Sequence, residues 1–122
     1  MYIELKTGFN HNGPAWIGKV KFSKAGKTIY FNGKAFSSLS GQGISGNYYD
    51  IETNEEYWIS RIKKNEENRF KKNNLKTFID QTIITEYLNL IKRKTIDLSK
   101  YELAKIVETD IQKFNSLNNQ SL

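Results

Sequence analysis

The sequence predicts an α+β fold: a small curved antiparallel five-stranded sheet, or an SH3-like barrel, followed by two C-terminal helices. Three observations support this prediction. Apolar and polar residues alternate through the first half of the chain and are interrupted by turn residues, which is typical of strands. Beyond residue 79 the apolar residues recur at helical spacing instead. The 122 residues are 38% hydrophobic and 13% aromatic, which is typical of one folded domain.

A single domain is therefore expected over residues 1–122, with four parts along the chain. Residues 1–64 form the predicted sheet, and residues 65–78 form a basic connector. Residues 79–115 form the helical part, and residues 116–122 form a frayed tail.

The alternation predicts five strands, over residues 2–6, 15–23, 27–36, 48–51 and 57–60. Gly18 falls on the apolar face of the second strand, which indicates a bend or a close approach of another segment. Asn32-Gly33 indicates a bulge in the third strand. The last two strands form a hairpin, and Asn54 is expected to close its turn because Asn tolerates a left-handed conformation.

Two helices are predicted in the C-terminal half. Asp80 is a good N-cap for the first helix, and the cations of residues 92–94 interact favourably with the dipole at its end. The second helix is expected over residues 99–115, because Ser99 and Glu102 match a capping box and an apolar stripe follows.

The excess positive charge lies in one segment. The formal net charge is +6, and residues 61–76 carry seven cations against two acids. Such cations neutralise phosphates, and neighbouring aromatic side chains stack on bases. The segment therefore predicts a non-enzymatic module that binds nucleic acid or another polyanion with little sequence preference. The expected site residues are Arg61, Lys63, Lys64, Arg69, Phe70, Lys71, Lys72, Lys76 and Trp58. Lysines of the predicted strands and turns extend this patch: Lys19, Lys21, Lys24, Lys27 and Lys34.

Two other interpretations stay open. The segment is also explained as a solvated connector that keeps the protein in solution, and Glu66 and Glu67 weaken its positive field. Alternatively, the protein is a protein-interaction module or regulator that uses the aromatic face of the hairpin and the C-terminal helix. That helix either folds back on the sheet or pairs with a partner or a second copy.

Enzymatic chemistry has little support in the sequence. The chain has no cysteine and one histidine, which excludes thiolate nucleophiles, disulfides and cysteine-ligated zinc. Residues 41–46 match G-x-G-x-x-G, but a strand follows where a dinucleotide site needs a helix. The acids of residues 50–56 have the spacing of a calcium loop but lack its glycine and flanking helices. A hydrolase using His11 with Asp50 or Glu52 ranks last. No cofactor or metal is expected.

Nothing in the sequence suggests a membrane protein. No apolar run approaches the roughly 18 residues that cross a bilayer. The first residues lack the pattern of a secretion signal. Together with the absence of cysteine, these features predict a cytoplasmic location.

Three phrases of the sequence resemble a family of small bacterial proteins of unknown function. They lie within residues 1–91 and read GPAWIGKVKFSKAGKTIYFNGKAF, GNYYDIETNEEYWIS and IDQTIITEYLNLI. The second phrase is the most specific, because it is similar to the family's YYDxETGEEYW pattern. Asn54 stands where that pattern has glycine, and the basic stretch around Arg69 replaces a segment containing His and Trp. The predicted second helix looks like an addition. The resemblance implies no activity.

Overall fold

The computed structural model describes residues 1–6, 13–69 and 75–120, with the backbone alone for residues 116–120. Nine strands lie in this part of the chain: β1 (Tyr2–Leu5), β2 (Ala15–Ile17), β3 (Lys21–Phe22), β4 (Thr28–Phe31), β5 (Lys34–Ser38), β6 (Tyr48–Asp50), β7 (Glu56–Ser60), β8 (Thr77–Asp80) and β9 (Tyr101–Ala104). The helical elements in the same ranges are a 3₁₀ turn (Gln81–Ile83), α1 (Ile84–Ile91) and α2 (Ile111–Gln120).

These strands form one curled half-barrel sheet in the order β3-β4-β5-β6-β7-β1-β2-β8-β9. The pairs from β3 through β2 are antiparallel, whereas β2 with β8 and β8 with β9 are parallel. The molecule is α+β, but the prediction of a five-stranded antiparallel sheet or SH3-like barrel followed by two helices is wrong. Two strands come from the C-terminal half. Their parallel pairing needs long crossovers, which leave no local turn signal.

The predicted third strand, residues 27–36, is a hairpin made of β4 and β5. Asn32 and Gly33 form its two-residue loop, and both have positive φ values, 52° and 75°. Asn-Gly between two apolar runs is the usual signal for this type of turn, because both central residues must be left-handed. The predicted bulge is therefore wrong.

The predicted second strand, residues 15–23, is divided into β2 and β3. Gly18 lies at the division, and a Cβ atom added to it would lie 2.6 Å from a ring carbon of Phe31. The close approach predicted at this glycine is confirmed.

The hairpin of β6 and β7 forms as predicted. Tyr48 pairs with Tyr57 across its strands. Asn54 has a φ of 63°, and its N–H donates to the carbonyl of Asp50 over 2.8 Å. Asn54 is therefore the left-handed residue of the turn.

The first predicted helix is present, but the prediction of a second helix over residues 99–115 is wrong. Asp80 accepts a hydrogen bond from the N–H of Thr82 (2.9 Å) and so caps the 3₁₀ turn that leads into α1. Residues 99–115 instead contain β9, an irregular stretch and the start of α2. Asp97, not a capping box, binds the N–H and hydroxyl of Ser99. Pairing with β8 overrides the helical pattern of residues 101–104.

Helix α1 packs on one face of the sheet, called here the α1 face. Its buried residues include Tyr2, Ile17 and Ile79 from the sheet and Tyr87 from the helix. In the described ranges, α1 and α2 lack the length and apolar character of a membrane-spanning helix.

The opposite face buries a second cluster around Ile3, Phe31 and Phe36. Residues 105–110 cross the sheet on their way from β9 to α2. Ile106 packs against this second cluster, and Thr109 donates to the carbonyl of Lys34 (3.0 Å). Residues 105–110 therefore connect β9, at one end of the strand order, to the β4–β5 hairpin near the other end.

Candidate functional site

The basic segment leaves β7 and turns back over the α1 face. The carbonyl of Lys63 accepts a hydrogen bond from the N–H of Glu66 (3.1 Å), and the backbone N–H of Lys63 donates to Asn68 Oδ1 (2.7 Å). Glu66 has a φ of 65°, which is uncommon for a residue other than glycine. This turn directs Glu66 and Arg69 toward side chains of other strands.

The predicted site residues divide into four groups. Four are exposed cations: Arg61, Lys63, Lys64 and Lys76. Trp58 is 41% exposed and lies opposite Glu4 in the pairing of β7 with β1, so it occupies the α1 face together with Glu4. The Arg69 side chain is only 10% exposed, so it does not belong to the solvated patch. Three predicted residues lie outside the described part of the chain: Phe70, Lys71 and Lys72.

Arg69 is part of a buried charged cluster on the α1 face. Glu4, 1% exposed, accepts hydrogen bonds from the Tyr2 hydroxyl (2.5 Å) and from Lys6 Nζ (2.7 Å). Arg69 Nη1 lies 3.4 Å from the same carboxylate and donates to the carbonyl of Gly13 (2.9 Å). Two nearly buried cations therefore share one carboxylate.

Glu66 connects the basic segment to the loop that follows α1. Its carboxylate accepts from the Tyr101 hydroxyl (2.8 Å) and from Arg93 Nε (3.3 Å). The Tyr101 hydroxyl also lies 2.5 Å from that of Tyr87. Burial, and then the hydrogen bonds with Tyr87 and Glu66, raise the pKa of Tyr101, so this hydroxyl stays neutral and donates to Glu66.

Two open clefts flank Glu66 in the described part of the molecule. The first has a volume of about 510 Å³ and is called here the Arg69 cleft; Tyr2, Thr77, Ser99 and Lys100 also line it. The second has a volume of about 650 Å³, and its lining includes Arg93, Lys94 and Lys100. Glu66, Lys100 and Tyr101 line both clefts.

Other exposed cations, at residues 92–94 and Lys100, are not among the predicted site residues. The run of three cations at residues 92–94 is a visible signal in the sequence, although it predicts only an interaction with the helix dipole. Lys100 had no such signal. It precedes Tyr101, which pairs with Thr77, so Lys100 and Lys76 stand side by side at the start of two parallel strands. Only the pairing of β8 with β9 makes them neighbours.

The glycine-rich loop at residues 41–46 is occupied by a carboxylate of the chain itself. Glu56 Oε1 accepts from the N–H groups of Ser45 and Gly46, both over 3.0 Å. These hydrogen bonds, that of Gly46 first, lower the pKa of Glu56. Two of the amide groups that would cradle a phosphate are therefore already used.

Asp50, the first acid of the hairpin, has a structural role. Asp50 is fully buried and binds Lys34 Nζ (3.0 Å) and the N–H of Glu52 (2.9 Å). His11, the other member of the proposed hydrolase pair, lies outside the described residues. Within the described ranges, no group of three His, Asp or Glu side chains is placed to hold a metal ion.

Comparison with known proteins adds no relative. No family model matches the chain, and no curated protein and no solved structure is significantly similar to it. The resemblance to a family of small bacterial proteins therefore stays a prediction.

Proposed function

We propose that the protein is a non-enzymatic binding module for a polyanion, with single-stranded nucleic acid as the favoured ligand. The binding site would be the basic surface, defined by seven exposed cations: Arg61, Lys63, Lys64, Lys76, Arg93, Lys94 and Lys100. One observation carries this proposal. Glu66 binds both Tyr101 and Arg93, and so holds the basic segment against the loop at residues 92–100.

The charge balance of this region supports the proposal. Residues 61–69, 76 and 92–100 contain nine cations and three acids, a formal excess of six positive charges. Two of the acids have internal partners, because Glu66 binds Tyr101 and Arg93 and Asp97 binds Ser99. The release of counterions from a polyanion at such a surface favours binding at low salt.

One partly exposed aromatic side chain precedes the basic segment in the chain. Trp58 is 41% exposed on the α1 face, two residues before the end of β7, and Arg61 follows that strand directly. A half-exposed indole is suited to stacking on a base, and such stacking is tolerant of sequence. Tyr57, by contrast, is 3% exposed and belongs to the core.

The alternative, a protein-interaction module using the hairpin and the C-terminal helix, has less support. Tyr57 of the hairpin is in the core, and Phe114 of α2 is fully buried against Tyr30 and Ala35. The described part of α2 therefore folds back onto the sheet through this residue. A protein partner and a cytoplasmic location stay predictions.

The proposal is tested by fluorescence anisotropy with a labelled single-stranded oligonucleotide. Affinity should fall steeply between about 50 mM and about 200 mM salt, because each bound phosphate releases counterions. The double variant Lys63→Glu/Lys64→Glu should weaken binding and lower the salt slope by about two.

A matched control is the double variant Lys24→Glu/Lys27→Glu, which makes the same charge change in the turn between β3 and β4. Those lysines are exposed and lie near the far end of the strand order. The control should bind nearly as well as the unaltered protein. Absence of binding at low salt, or equal losses in both double variants, would contradict the proposal.

A further inference from the structure

The buried cluster around Arg69 has an unused donor and an uncompensated charge. Arg69 Nη2 is buried and has no hydrogen-bond partner among the described residues, although Nη1 binds Gly13 and approaches Glu4. The side chain is nine-tenths buried. A buried guanidinium nitrogen without an acceptor is costly, and an explanation is needed for its presence.

The charges of the cluster point to the missing partner. Lys6 and Arg69 are 11% and 10% exposed, and in the described ranges both form ion pairs with Glu4 alone. Direct pairing with Glu4 therefore leaves one positive charge over in a largely buried environment, where unpaired charge is unfavourable. The other nearly buried carboxylate beside Arg69 is Glu66, which is bound by Tyr101 and Arg93. The segments outside the description, residues 7–12, 70–74 and 121–122, contain no Asp or Glu side chain that could supply a second carboxylate.

The cleft beside this cluster has the size of a ligand site. Arg69 lines a volume of about 510 Å³, within the usual range for small-molecule pockets. Lys100 brings a second cation to the same cleft, and Ser99 and Thr77 bring hydroxyl groups. The lining also includes two carboxylates, Glu66 and Glu67, and Glu66 is bound by Tyr101 and Arg93. Arginine favours planar or tetrahedral oxyanions because its fork of N–H donors matches their oxygens.

We infer that the Arg69 cleft binds an oxyanion, a phosphate monoester in particular, held by Arg69 and Lys100. Such a group belongs to a free mononucleotide or to the phosphorylated end of a nucleic-acid strand. The second source rests on the proposed function; the first does not. The site shares Lys100 with the basic surface but does not include Lys63 and Lys64, which would contact a polymer without selecting its end.

The test is an NMR titration of the full isotope-labelled chain at constant ionic strength. The probes are inorganic phosphate, a mononucleotide, and one oligonucleotide with either a 5′-phosphate or a 5′-hydroxyl. We expect saturable shifts of amide signals around Arg69, Thr77 and Lys100 with phosphate or the mononucleotide. Tighter binding of the 5′-phosphorylated strand would identify the strand end as the source. Linear shifts spread over all exposed lysines, with equal affinity for both strands, would overturn the inference.

Two variants test the residues of the site. Lys100→Ala should raise the Kd for the mononucleotide about tenfold, since a hydrogen bond to a charged group is lost. Lys105→Ala removes an exposed cation that does not line the cleft and should leave the Kd unchanged. Arg69→Lys keeps the charge but removes the Nη2 donor, and should weaken binding while the spectrum stays that of a folded protein. Equal affinities for all three variants would contradict the assignment.

The inference and the proposed function fail separately. Binding of the 5′-hydroxyl strand without any binding of phosphate or mononucleotide would support the basic surface and overturn the Arg69 site. Binding of the mononucleotide without binding of either strand would support the Arg69 site and contradict the basic surface.

Discussion

Glu4 is the residue on which two nearly buried cations, Lys6 and Arg69, depend. It lies in the second position after Tyr2 on β1, so both side chains face α1, and it meets Lys6 and Arg69 there. A carboxylate in a strand usually faces solvent, because its burial costs free energy unless cations or donors surround it. Three donors satisfy that condition for Glu4.

Replacing Glu4 should therefore destabilise the fold strongly. Glu4→Gln keeps the shape but leaves Lys6 and Arg69 without a carboxylate, and the free energy of unfolding should fall by about 3 kcal/mol or more. Glu108→Gln is the matched control, because Glu108 also binds a lysine, Lys21, over 2.8 Å but is exposed. Its effect should be far smaller, since solvent screens the pair. Urea unfolding of both variants measures the difference, and similar losses would contradict the buried cluster.

The buried tyrosines make a second residue-level prediction, on pH. Burial is the main cause that raises the pKa of Tyr2, Tyr87 and Tyr101, and it raises that of Tyr57 to about 12. The folded state thus holds these protons more tightly than the unfolded chain, whose tyrosines titrate at about pH 10. Their contribution to stability is complete below that pH and is lost as the pH rises beyond it.

Urea unfolding at increasing alkaline pH measures this loss. Stability should decline above about pH 10, and the decline should be shallower in Tyr101→Phe, which has one fewer group to titrate. The tyrosinate absorbance should rise together with unfolding. A stability that stays constant through this range would show that the hydroxyl groups are not protected.

At the level of elements, the turn between β6 and β7 depends on Asn54. Its φ of 63° suits glycine best and asparagine next, whereas other residues pay a steric cost. Asn54→Ala should lower the melting temperature, with a loss of about 1 kcal/mol, and Asn54→Gly should be neutral or stabilising. Glu55→Gly, at a neighbouring position without positive φ, should destabilise because it only adds chain entropy. The reverse order of the two glycine variants would contradict the turn geometry.

The elements that could be predicted from sequence are those encoded within a few residues. Two of them act on near neighbours in the chain: Asn54 in its turn and Asp80 at its cap. The close contact at Gly18 needs only the absence of a Cβ atom. The pairing of β8 with β2 and β9 has no such local code, because the strands come together across long stretches of chain. The capping-box pattern at Ser99 competes with that pairing, and the tertiary contacts win.

The same reasoning applies to the candidate site. The exposure of Lys63 and Lys64 follows from their local polar surroundings and could be predicted. The burial of Arg69 could not, since its partner Glu4 belongs to the first strand of the chain. Lys100 joins Lys76 only through the parallel pairing of their strands. The charge of the basic segment is therefore visible in the sequence. The burial of Arg69 apart from the exposed cations is not.

On the scale of the whole molecule, each face of the sheet buries its own hydrophobic cluster. The face opposite α1 is closed by residues 105–110 and buries a cluster of aromatic and aliphatic side chains. The α1 face carries the two clefts, Trp58 and the basic surface. A long anionic ligand would therefore be expected on the α1 face, in contact with the basic segment and the loop after α1 together.

The most direct test of this account is an amide NMR map of the full chain with a short single-stranded oligonucleotide at low salt. The shifts should be saturable and concentrated in residues 61–69 and 92–101, and both groups should follow one binding curve. The turn around Lys24 and Lys27 should not respond. Equal responses at that turn, or a response of residues 61–69 without residues 92–101, would contradict the claim that these two segments form one polyanion-binding surface.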